Sequence, residues 1–202
     1  MSAVQADGIK WQAAVRVDKY SPDQVQWAAR ESGVLEPKGD LLRVLCGTPE
    51  DGTVERIGNL LVTVGLNNLT ELIIGSGGTS LDQAHTIAGV GASSANNAAI
   101  GDTALADDNS ANAYYQNVDS GSNPSQSNGV ISASCTFTGS NANFAWNEWC
   151  LAVTSGTITA GTHLSAMATP SPTMINHKMY SSGLGTKSSG ASWILQASIT
   201  LS

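Results

Sequence analysis

Residues 192–201, Ser-Trp-Ile-Leu-Gln-Ala-Ser-Ile-Thr-Leu, place Trp193, Leu195, Ala197, Ile199 and Leu201 on one parity and Gln196, Ser198 and Thr200 on the other. A period of two marks a β-strand with one buried face. Val130–Thr138 repeats the pattern, with Ile131, Ala133, Cys135 and Phe137 opposite Ser132, Ser134, Thr136 and Thr138. Phe144–Val153 is a third such stretch. It carries Phe144, Trp146, Glu148 and Cys150 on one parity and Trp149, Leu151 and Val153 on the other. Aromatic residues on both parities imply that both faces are covered. Gly139–Asn143 between the last two stretches is expected to be a hairpin loop. The three stretches predict the core of an antiparallel β-sandwich, jelly-roll or immunoglobulin-like. Its structural core is expected to be Phe137, Phe144, Trp146, Trp149, Trp193, Leu195 and Ile199.

Outward from this core, Thr173–Tyr180 and Ala84–Gly91 are expected strands, and Ser110–Val118 is a strand or a short turn of helix. Thr154–Pro172 is polar apart from Leu164 and Met167. A connection of that length in a compact unit is usually functional or mobile. His163, Leu164 and Met167 are therefore assigned to an exposed or inter-subunit loop. Asn59–Ile74 has a near-3.6 apolar stripe (Leu61, Val64 or Gly65, Leu69, Leu72, Ile73), which predicts one helix stopped by Gly75-Ser76-Gly77-Gly78. Gly65 inside it costs about 1 kcal/mol against alanine, and it would let a strand approach closely. Near the start, Trp11–Val17 alternates as a strand. Ser21-Pro22-Asp23 opens a short helix, Leu41–Cys46 is a candidate strand, and Thr53–Ile57 is half of a hairpin. The expected architecture is mainly β. An N-terminal α/β extension or docking domain (1–57) precedes a β-sandwich domain (58–202) with one packed helix at 59–74.

Composition narrows the function classes. Charged residues make up only 12% of the 202-residue chain, against about a quarter in ordinary domains. A surface of small hydroxyls and amides suits a subunit whose faces neighbours cover. Net charge is −7 and no basic patch appears, which argues against nucleic-acid binding. Seven of the nine Lys and Arg residues precede Ile57, which makes the N-terminal part a distinct surface. No apolar run approaches the ~20 residues that span a membrane, and no signal-like apolar core opens the chain. Three cysteines, Cys46, Cys135 and Cys150, are an odd number, and buried free thiols are expected.

Candidate chemistry is sparse. His85, His163 and His177 show no zinc spacing. Asp102, Asp107, Asp108 and Asp119 lack a calcium-loop pattern and its closing glutamate. Glu148, between Trp146 and Trp149, is expected to be buried and paired with Lys178 or Lys187. The tryptophans are core residues or, alternatively, a sugar-stacking platform. No catalytic residue, metal or cofactor is assigned.

Four stretches carry a resemblance: Gly58-Asn59-Leu60-Leu61 with Leu72-Ile73-Ile74-Gly75; Ile87-Ala88-Gly89-Val90-Gly91; Ala142-Asn143-Phe144-Ala145-Trp146-Asn147-Glu148-Trp149; and Asn176-His177-Lys178 with Leu184-Gly185-Thr186-Lys187. Over Gly58–Ser202 the chain resembles small virion structural proteins of tailed bacteriophages, variously tail-fibre-like, minor capsid or decoration proteins. The chain departs from the group at Cys150, where a small or apolar residue is usual, and in the length of Thr154–Pro172. The resemblance implies a virion setting, no catalytic residues, and contacts to a major capsid protein or other virion proteins, as a homo-oligomer. Capsid docking is assigned to the basic N-terminal part, at Trp11, Arg16, Lys19, Trp27, Arg30 and Arg43. The expected role is a decoration protein that stabilises the head shell. A tail-fibre or baseplate component and a carbohydrate-binding module for host attachment are the alternatives.

Overall fold

The computed structural model describes residues 11–58, 60–94, 97–107, 111–121, 124–156, 163–165 and 172–201. In chain order its elements are β1 (Trp11–Tyr20), α1 (Pro22–Ser32), α2 (Gly39–Cys46), β2 (Thr53–Ile57), β3 (Leu60–Leu61), α3 (Thr63–Ile74), β4 (Thr86–Gly91), β5 (Ala113–Asn117), β6 (Ser125–Ser127), β7 (Val130–Phe137), β8 (Ala145–Trp146), β9 (Glu148–Val153), β10 (His163–Ser165), β11 (Thr173–Met174), β12 (Asn176–Met179), β13 (Gly185–Thr186) and β14 (Ser192–Leu201).

The alternation in 192–201 does what its period requires. β14 lies at the centre of a five-stranded sheet ordered β2-β1-β14-β7-β6. It pairs antiparallel with β1 from Trp11↔Leu201 to Tyr20↔Ser192, and with β7 from Trp193↔Phe137 to Thr200↔Val130. A second sheet runs β10-β5-β4-β9-β12-β3, with β11 also on β9. β8 and β13 form a small ribbon between the ends. The inward faces meet in one apolar layer. Val15, Val17, Cys135, Phe137, Trp193, Leu195 and Ile199 come from the first sheet, and Ala88, Val90, Trp149, Leu151 and Val153 from the second. The β-sandwich with a packed helix is thus the fold, and Phe137, Trp146, Trp149, Trp193, Leu195 and Ile199 are buried in its core, with Phe144 packed half-buried against it.

Several expectations need correction. The chain does not divide at residue 57: β1 is an interior strand of the first sheet, paired along its whole length with the last strand. Closing so long a loop adds little entropic cost, because that cost grows only logarithmically with length. Phe144–Val153 is not one strand, nor does it form a hairpin with Val130–Thr138. β7 belongs to the first sheet and β9 to the second, so 139–143 crosses the sandwich. The ladder breaks at Asn147, whose N–H donates to Gly91 O and whose C=O accepts from Tyr180 N. That break resets the parity, so Trp146 and Trp149 both point into the core.

Leu41–Cys46 is helix, not strand. Leu42 packs with Tyr20, Ala28 and Ile194, and Leu45 and Cys46 pack beside them, a spacing of three to four residues. α1 opens as expected. Ser21 Oγ accepts from Gln24 N, the Gln24 side chain reaches back to Ser21 N, and Gly33 closes the helix in the left-handed region at φ 70°. These two helices cover one end of the outer face of the first sheet. α3 starts later than Asn59, because Leu60 and Leu61 pair with His177 and Asn176 of β12. It packs beside β11 at the margin of the second sheet, with Leu69 against the inner core and Val64 against a cluster on the outer face. There Val62, Ile87, Tyr115, Cys150, Ala152 and Met174 form a second apolar cluster, with Val64 packed on it. The close approach expected at Gly65 is present: a Cβ there would lie 2.4 Å from Ile175 O. No disulfide joins the three cysteines; Cys135 lies between the sheets and Cys150 in the outer cluster. Among the described residues no helix is long and apolar enough to cross a membrane.

Candidate functional site

Glu148 opens β9 with its side chain on the outer face and has no exposed surface. The expected lysine partners are elsewhere. Lys178 adjoins His177 on β12 and so points to the opposite face, with its Nζ 5.7 Å from the Tyr180 ring centroid. Lys187 is itself buried and donates to Thr138 O at 2.8 Å and Asn143 Oδ1 at 2.7 Å. Burial lowers its pKa to about 7, and among the described residues no ion pair with a carboxylate compensates. The carboxylate of Glu148 is met instead by His177 Nε2 at 2.9 Å. Its remaining acceptor sites take the backbone N–H groups of Ala106 at 2.8 Å and Asp107 at 3.2 Å. On the far side of the ring, His177 Nδ1 lies 2.7 Å from Asp102 Oδ2.

His177 is 2% exposed and sits between two carboxylates. A neutral imidazole has one N–H and can serve only one of them, whereas imidazolium serves both. Burial opposes the charge on the ring, but the hydrogen bonds to Glu148 and Asp102 outweigh it and raise the pKa above its ordinary value. Burial, and then the charge of Glu148, likewise raise Asp107. Both ring nitrogens are engaged and the cluster is closed over, so it reads as a structural clamp. Sequence reasoning named all three residues without joining them, because separations of 46 and 29 positions leave no local motif. Among the described residues no group of His, Cys, Asp and Glu is arranged to hold a metal ion.

The docking residues assigned from sequence do not converge on one surface. Trp11 and Lys19 have the inward parity of β1: Trp11 packs half-buried on the core and Lys19 Nζ stands 4.6 Å from the Trp193 ring centroid. Arg16 points outward and meets Asp18 at 2.9 Å and Glu55 at 3.3 Å. Arg43, on α2, pairs with Asp40 at 2.9 Å and approaches Asp18 at 3.8 Å. Asp18 is buried, and it also accepts from Thr53 Oγ1 at 3.0 Å and Gln196 Nε2 at 2.8 Å. Arg16 and Arg43 thereby flank a groove of about 530 Å³ on the uncovered part of the first sheet, above Ala14, Ser132 and Ser198. Trp27 and Arg30 lie on α1, with Arg30 bound to Gln26.

The least satisfied surface is apolar. Trp27 on α1 is 45% exposed, Leu35 after it 89% and Val44 on α2 79%, and Ile73 and Ile74 protrude at the end of α3. Trp27 also lines a second groove of about 360 Å³ between the two helices, with Leu45, Cys46, Asp23 and Glu50. Reading Leu41–Cys46 as a strand hid this face, since only helical geometry turns Val44 away from Leu42. Of the assigned loop residues, His163 and Leu164 lie in β10, opposite Gln116 and Tyr115; their side chains and Met167 fall outside the described residues.

Comparison with known proteins finds no matching family model, no matching curated protein and no matching solved structure.

Proposed function

We propose that this protein is a non-catalytic structural subunit of a bacteriophage particle, a decoration protein that binds the head shell and stabilises it. The observation that supports this reading is the exposed apolar side chains of the α1–α2 segment, Trp27, Leu35 and Val44, open to solvent beside a sandwich whose other large aromatics are sheltered. Each such side chain is worth about 1.5–3 kcal/mol when fully buried. A partner that covers them only in the assembled particle shifts stability toward that state. The major capsid protein is the proposed partner, and the chain is proposed to act as a homo-oligomer. Trp146 and Trp149 are fully buried, so a sugar platform on them forms no part of the proposal. A tail or baseplate subunit would use the same face.

Surface substitution tests this reading; deletion of the N-terminal part would remove the interior strand β1. Trp27→Asp with Val44→Asp should leave the circular dichroism spectrum unchanged and abolish binding to purified particles. Occupancy equal to the wild type would refute the docking face, and imaging of intact particles would separate head from tail.

A further inference from the structure

Residues 97–107 form a strap across the outer side of the second sheet, and their attachment is almost wholly polar. Thr63 N donates to Ile100 O at 2.7 Å. Asp102 Oδ2 accepts from Ala99 N at 2.7 Å and contacts His177. Ala106 N and Asp107 N donate to Glu148. The strap's one buried apolar side chain is Leu105, 3% exposed, which seats against Ile87, Tyr115, Cys150 and Met174. Gly91 on the neighbouring strand makes room for the Glu148 carboxylate: a Cβ there would overlap it, 2.2 Å from Oε1.

We propose that Asp102, His177 and Glu148 form a proton-operated latch, which holds the strap 97–107 over the second sheet while the imidazole carries two protons and loosens when it carries one. With one proton the ring turns a lone pair toward a carboxylate, either that of Asp102 on the strap or that of Glu148, which anchors the strap's backbone. Among the described residues the charged groups facing the ring are Glu148 from β9 and Asp102 from the strap, with Asp107 beyond Glu148. The β3 residue opposite His177 is Leu60, which contributes no charge, and Lys178 points away toward Tyr180. The sign follows from linkage. A ring whose pKa is higher in the closed state than its ordinary 6.5 favours closure fully below that value. That contribution is lost as the pH rises through the closed-state pKa.

Amide hydrogen exchange of Ala106 and Asp107, read by NMR on the full chain from pH 6 to 9 and corrected for intrinsic rates, tests the latch. Protection should be greatest near pH 6 and fall about tenfold per pH unit across the titration, while tryptophan emission stays native. Nitrogen-15 shifts should show both His177 ring nitrogens protonated at pH 6. Asp102→Asn should remove the pH dependence, because the carboxamide can donate to a neutral Nδ1 while Nε2–H continues to serve Glu148. A flat wild-type profile, a wild-type profile retained in Asp102→Asn, or a neutral ring at pH 6 would each overturn the proposal.

Discussion

Trp146 and Trp193 meet edge to face, with ring centroids 4.9 Å apart and planes at 69°. Phe137 also meets Trp146 edge to face, at 4.8 Å and 67°. Trp193 and Phe137 are paired neighbours on the first sheet, whereas Trp146 arrives from the β8–β13 ribbon. Its indole N–H donates to Ala142 O at 2.9 Å, so the ring is satisfied as well as buried. This stack ties the end ribbon to the sandwich.

Trp146→Ala should therefore lose about 3–5 kcal/mol, as large aromatic truncations in cores do. Trp27→Ala, at an exposed site, should stay within about 0.5 kcal/mol. Urea denaturation of both variants measures the difference. A Trp146 variant as stable as the wild type would remove the aromatic stack from the account of the fold.

Gly65→Ala sets two effects against each other. Alanine gains about 1 kcal/mol of helix propensity. Its Cβ, however, would come within 2.4 Å of Ile175 O and 2.5 Å of Ile175 Cα. Because these are backbone atoms, the strand must shift, and overpacking of that kind costs roughly 1–3 kcal/mol. The expected outcome is net destabilisation, with the loss confined to α3 and its strand contacts in residue-resolved exchange. A more stable Ala variant would show that α3 does not sit this close to the sheet.

Lys187 predicts a pH slope opposite to that of His177. Burial lowers its pKa in the folded chain from 10.5 to about 7, so between those values the unfolded chain holds a proton that the folded chain does not. Stability then rises with pH through that window. Lys187→Met should flatten this component, so thermal unfolding of the pair should show the wild type gaining on the variant from pH 7 toward 10. Parallel pH profiles would mean that the amine is solvated or paired in solution.

The alternation in 130–138 and 192–201 was enough to name two strands, their buried faces and their share of the core. Ser21-Pro22-Asp23 announced α1, and Gly65 announced a close approach. The reading failed where one short stretch supports two geometries. Leu41–Cys46 fits a strand or a helix, and packing against Tyr20 and Ile194 selects the helix. Phe144–Val153 looked continuous because nothing local marks Asn147 as a break; its hydrogen bonds to Gly91 and Tyr180 exist only in the assembled sheets.

Periodicity and cap chemistry act over a few residues, so the sequence by itself determined a mainly β chain and its apolar faces. Pairing and burial act between positions far apart in the chain. They placed β1 beside β14, left Glu148 facing His177 and not a lysine, and turned Trp27 and Val44 to solvent. Which charges meet, and which apolar face stays open, depends on distances that only the closed sandwich sets.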